Sequence, residues 1–208
     1  MDDARPIGGG ADWSTHPGTC LNHANEFDVN IKGWLLMQLT YRLGAVVGYQ
    51  QTRFSWTALG GSYSYDNGAE INNLPQEARV IGYKQQFNTP YLGLVGVYRY
   101  QNVELNGLLK LTPWVNAKDN DEHYLRNMTF REDIHRSRYY SVALGVGYYL
   151  TPAAKVYTEV SASKYEEGKG GTQMLNNKTG EHSYIEGDAA GIDNMHYSVT
   201  AGVQFRFL

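Results

Sequence analysis

The sequence predicts an all-β protein, an antiparallel transmembrane β-barrel, on three observations. Apolar residues recur with a period of two along most of the chain. Short connections alternate with long polar ones. Tyr and Gly are abundant (17 and 23) against only 6 Pro, a composition suited to a sheet girdled by aromatic side chains. A chain of 208 residues is an ordinary length for one barrel, so residues 1–208 read as a single domain.

Each strand follows from the alternation. In 26–37, Phe27, Val29, Ile31 and Leu35 oppose Asp28, Asn30, Lys32 and Trp34. Segment 41–63 continues after a short connection. Segment 79–100 would span about 55 Å after a tilt of about 40°, against an apolar band of about 25 Å. Either a bulge near Asn88-Thr89-Pro90 breaks it or the wall rises well above the membrane. In 103–118, Val103, Leu105, Leu109, Leu111 and Val115 oppose Glu104, Asn106, Lys110 and Trp114. In 137–150, Tyr140 through Leu150 alternate with Ser141, Ala143, Gly145, Gly147 and Tyr149. Segment 154–166 carries Lys155 and Glu159 on its polar face. In 192–207, Tyr197, Val199, Ala201, Val203, Phe205 and Phe207 share one face. Charges at Lys32, Glu104, Lys110, Lys155 and Glu159 suit a wet barrel interior; the centre of a soluble sandwich would rarely hold them. The segments 1–25, 64–78, 119–136 and 167–190 read as long polar loops at one rim.

Other classes are disfavoured. The net charge of −3 does not suit a nucleic-acid partner. No run approaches the ~18 apolar residues of a membrane helix. Cys20 is the single cysteine, and no Cys-pair or HExxH spacing suggests a metal. Met1 to Pro6 has neither a basic nor an apolar secretory region, and seven strands is an odd number for a single-chain barrel. Together these lead to the expectation that the N-terminal part of a larger barrel is not in this sequence.

The chemistry concentrates in Asp119-Asn120-Asp121-Glu122-His123-Tyr124, expected just past a strand end. In extended backbone Asp119, Asp121 and His123 share one face, about 7 Å apart. A carboxylate beside an imidazole orients it and favours its protonated form, which is how a base for activating water is made.

The chain resembles the omptins, outer-membrane proteases of enterobacteria. The resemblance runs through Asn25-Glu26-Phe27-Asp28, Asn30 to Leu36, Tyr41-Arg42-Leu43-Gly44, Ile81 to Gln85, Asp119 to Tyr124, Tyr139 to Ala143, and Gly147-Tyr148-Tyr149 with Thr151-Pro152. It implies a ten-stranded barrel, of which these would be about the last seven strands, with the active site in an extracellular groove. His123 would be the base and Asp121 its orienting carboxylate. Asp119 would bind the basic side chain before the scissile bond, and Asp12 would favour a basic side chain after it. The opposite wall, an Asp-x-Asp pair, is expected just before Met1; Asp2-Asp3 is adjacent and does not replace it. The chain as given is therefore expected to hold one wall of the site and to be inactive alone. The resemblance implies no cofactor, with lipopolysaccharide as activator; Tyr49 and Arg53 match residues that bind lipid A phosphates. Gln51, Gln86 and His135 depart from that pattern. The implied partners are lipopolysaccharide, basic peptides and the outer membrane. The alternative is a non-catalytic outer-membrane barrel acting as an adhesin or structural surface protein.

Overall fold

The computed structural model describes residues 13–207. These form one antiparallel meander: β1 (Trp13–Thr15), β2 (Cys20–Met37), β3 (Tyr41–Tyr65), β4 (Glu70–Tyr100), β5 (Val103–His123), β6 (Met128–Thr151), β7 (Ala154–Asn176) and β8 (His182–Phe205). From β2 onward each strand pairs with the next in sequence, and the short β1 pairs with the far end of β3. Among the described residues no ladder joins β2 to β8. The sheet is nonetheless strongly curled. Side chains of β3 and β4 meet β7 and β8 across its concave face, as in Thr52 Oγ1 to Tyr165 Oη at 2.9 Å and Asn194 Nδ2 to Gln85 Oε1 at 3.0 Å.

The seven long strands match the seven expected segments, and β1 adds an eighth. The expected long loops are corrected. Residues 70–78, 128–136 and 167–176 continue as strand, so the turns from β3 to β8 at this rim are short, though slightly longer than those at the other. A single 3-10 turn, Asp66–Gly68, joins β3 to β4, and another, Tyr124–Arg126, joins β5 to β6. The reason is that both faces of the upper wall are largely polar, so period two loses its contrast there although the ladder continues. β4 both rises and is interrupted: its register against β5 breaks between Asn88 and Leu92.

Two zones result. In the lower zone the convex face is an apolar belt, with Ile31, Leu94, Leu105, Leu144 and Val199 all exposed. On β6 the belt runs from Tyr140 to Leu150, ten rises of about 3.4 Å, or about 26 Å after a ~40° tilt. That matches the apolar thickness of a barrel band. The concave face of this zone holds paired charges. Lys110 Nζ bonds Asp28 Oδ2, and Lys155 Nζ donates to Glu104 Oε1 at 2.6 Å. Tyr91 and Tyr149 also donate to these carboxylates.

Above the belt the concave face is plugged by Phe54, Phe87, Val115, Ile134, Tyr139, Tyr165 and Ile192. Phe87 stacks on Tyr165 with centroids 3.9 Å apart. A second ladder of rings climbs from Phe54 to Trp56 (5.5 Å) and from Trp56 to Tyr83 (5.9 Å). Tyr83 carries it to the upper groove.

Candidate active site

The acidic-imidazole segment lies inside β5 and not beyond its end, which corrects the expectation of a loop. Its hydrogen-bonded neighbours hold it extended: Tyr83 opposes Asp121 on β4, while Phe130 opposes Asp121 and Met128 opposes His123 on β6. Extended backbone puts Asp119, Asp121 and His123 on the concave face. Asn120 and Glu122 take the other face, where Asn120 Nδ2 donates to Glu122 Oε1 at 3.1 Å.

The expected pair is formed. His123 Nε2 lies 3.1 Å from Asp121 Oδ2. His123 is 6% exposed, and its ring meets Phe130 edge-on at 5.0 Å. With Nε2–H donating to the carboxylate, Nδ1 carries the lone pair.

Asp119 is built differently. Tyr83 Oη donates to its Oδ2 at 2.9 Å. Gln85 Nε2 donates to Tyr83 Oη at 3.1 Å and to the Asp193 carbonyl at the same distance, so β8 braces the pair from across the groove. Glu132 of β6 sits directly opposite Asp119 in the ladder. Burial, reinforced by the Glu132 charge, pushes the Asp119 carboxyl up to about 8. Burial also raises Glu132. The Tyr83 phenol is pushed far above its usual range by burial and by Asp119.

These groups line a cavity of about 620 Å³ whose walls include His16, Trp56, Tyr83, Asp119, Asp121 and Glu132. His16 arrives through a β-bulge. The register of β3 slips between Leu59 and Gly61, and Gly61 has φ +114°, where a Cβ would lie 2.1 Å from the Thr15 carbonyl oxygen. His16 Nδ1 then donates to the Gly60 carbonyl at 2.6 Å.

The structure thus brings together Asp119, Asp121 and His123, and adds Tyr83, Glu132 and His16, to which the sequence alone assigned no role. Glu132 was hidden in a supposed loop. Its signal was the tight turn at 124–127, with Asn127 left-handed, because pairing His123 with Met128 fixes the rungs below it as far as Asp119 and Glu132. Asp12 lies outside the described residues. Tyr49 and Arg53 lie apart from the groove. Tyr49 is on the convex face above the belt, where its Oη donates to Asn88 Oδ1 at 3.0 Å. Arg53 lines a neighbouring cavity of about 480 Å³ with His23, Lys84 and Lys118, and Gln85 and Asp119 line both it and the groove. Lys84 and Lys118 are cations the sequence reading had not placed beside it.

Comparison with known proteins gives concordant results. A model of the omptin family matches residues 8–207. The chain is 58% identical to a plasminogen activator of Yersinia pestis over 94% of its own length and 63% of that relative. It is 47% identical to the outer membrane protease OmpP of Escherichia coli, over 100% of this chain and 66% of that one. The crystal structure of the outer membrane protease OmpT from Escherichia coli superposes with a TM-score of 0.88 at 46% identity, covering 93% of this chain and 67% of the other. The chain therefore spans about two thirds of the length of the relatives it matches. A curled antiparallel sheet, an acidic groove with a His–Asp pair, and these matches lead to one assignment: the chain belongs to the omptin family.

Proposed function

We propose that this chain supplies the His–Asp wall of an outer-membrane endopeptidase that cleaves beside basic residues. The observation that carries the reading is the buried 3.1 Å contact of His123 with Asp121 at the edge of a cavity with no basic side chain among its described lining residues except His16. His123 Nδ1 takes a proton from water as the oxygen attacks the peptide carbonyl. Asp121 stabilises the imidazolium, and the same proton returns to the departing amine. No acyl-enzyme forms. Asp119 binds the basic side chain.

The apolar belt supports residence in the outer membrane, with the groove on the extracellular side above it. On the convex face, Tyr49 and Arg53, with Lys84 and Lys118 nearby, would contact lipopolysaccharide phosphates as charge-assisted donors.

The test uses the protein purified from bacterial outer membranes in detergent with lipopolysaccharide. A peptide with adjacent arginines should be cleaved, and His123→Ala should lower kcat by about 10²–10⁴-fold. Unchanged turnover in that variant would sink the mechanism.

A further inference from the structure

The upper groove contains a level row of directly opposed residues: Gln85 on β4, Asp119 on β5, Glu132 on β6 and Thr172 on β7. Its two central members are both carboxyls and its flanks are neutral. Lysines approach Asp119 from a neighbouring 480 Å³ cavity, which Lys84 and Lys118 line with it, but neither lines the 620 Å³ groove. Lys84, Lys118 and Arg131 occupy alternate positions and are exposed, and Lys118 is committed to Asp133 at 3.0 Å. Asp119 Oδ1 is buried and accepts no hydrogen bond from the described residues, whereas Oδ2 is held by Tyr83. Both carboxyls line the 620 Å³ cavity, and Trp56 lines the same space.

Directly opposed side chains in an antiparallel ladder have Cβ atoms about 5 Å apart. Two carboxylates at that spacing match the fork of a guanidinium, which offers five donors in one plane. An ammonium is a compact charge with no such fork.

We infer that Glu132 is a specificity-determining residue: with Asp119 it forms a two-carboxylate cradle that selects an arginine side chain over lysine. The inference rests on the reading of this groove as a peptide-binding site but does not require hydrolysis. It makes Asp119 the anchor for any basic side chain and Glu132 the discriminator.

The test is binding, with the outer-membrane protein in detergent and peptides whose scissile amide is replaced by a reduced, uncleavable bond. Three peptides differ at one position: arginine, lysine and citrulline, the neutral isostere of arginine. Intrinsic fluorescence, with Trp56 in the cavity, reports occupancy. The protein should bind the arginine peptide about tenfold tighter than the lysine peptide, and citrulline weakest of the three. Glu132→Gln should bring arginine and lysine within about threefold of each other by weakening arginine, and Glu132→Asp should restore part of the preference. A purely structural role would weaken both peptides alike and leave their ratio unchanged. Retention of the arginine preference by Glu132→Gln, or no such preference in the parent, overturns the inference. Loss of cleavage without loss of the arginine preference would count against the hydrolytic reading alone.

Discussion

The lower and upper zones of the concave face are made by the same strands but treat charge in opposite ways. Below, Lys110 and Lys155 meet Asp28 and Glu104, each carboxylate also accepting from a tyrosine. Above, Asp119, Asp121 and Glu132 converge with only His123 and His16 as basic partners among the groove residues described. Burying unpaired carboxyls is costly, and a scaffold that neutralises them lower down has the means to do so again. The contrast separates charges that hold the sheet together from charges held ready for a ligand.

The sharpest break in that contrast is at the pair itself. Asp121→Asn keeps the size of the side chain but cannot stabilise an imidazolium. Turnover should fall by about 10²–10⁴-fold, while urea midpoints in detergent stay close to those of the parent. A large loss of stability with it would make Asp121 a structural charge like those below.

The lower zone should respond in the reverse sense. Lys110→Met leaves Asp28 facing a poorly solvated interior, and unfolding in urea should show a loss of about 3 kcal/mol. Adding Asp28→Leu should recover much of it, because removing both partners is often near neutral. If the single change costs nothing, the lower charges are solvated and the contrast fails.

Asp119 tests the sign of the difference. Its carboxyl titrates near 8, well above the usual value of an aspartate. The groups facing it are Glu132 from β6, Tyr83 from β4 and Asp121 on its own strand. A group whose folded pKa is raised stabilises the fold fully below its unfolded pKa and loses that contribution as pH climbs through the folded value. Between about pH 4 and 8 the parent should therefore lose stability that Asp119→Asn keeps. Above about pH 8 the variant should melt several degrees higher. Equal melting at pH 6 and pH 9 in both proteins would contradict the burial of this carboxyl beside Glu132. Affinity for a basic peptide should rise over the same range, as the cation replaces the proton.

The smallest effect belongs to the convex face. Arg53→Ala should weaken lipopolysaccharide binding a few-fold and reduce its salt dependence, since Lys84 and Lys118 remain nearby. No change at low ionic strength would remove Arg53 from that surface.

How far the sequence disclosed this arrangement depends on the zone. From Tyr140 to Leu150 one face meets lipid and the other does not, so period two is plain. Asp121 and His123 were legible because two-residue spacing on extended backbone puts them side by side whatever the surrounding fold. Glu132 was not. Above the belt both faces of the wall are polar, the alternation disappears, and residues 128–136 resemble a loop. The turn at Asn127 held the missing information, but as one left-handed residue before a nine-residue stretch in which six residues are polar. Tyr83 was hidden for another reason: it reaches Asp119 diagonally, two residues from its own rung, which Gln85 occupies.

The tight turns of the upper rim carry one more consequence. A protease must draw its substrate out as slack, extended chain. Arg126 sits in a single 3-10 turn. Lys178 lies in a tip where its own N–H is held by Asn176 Oδ1 at 3.0 Å and Gly180 N bonds the Asn176 carbonyl at 2.8 Å. These two basic residues are thus bound into corners too short to be pulled straight. Under the proposed endopeptidase activity, a surface crowded with copies of this protein would be protected from self-digestion at these two turns by their brevity, with no need to purge Arg126 and Lys178 from them.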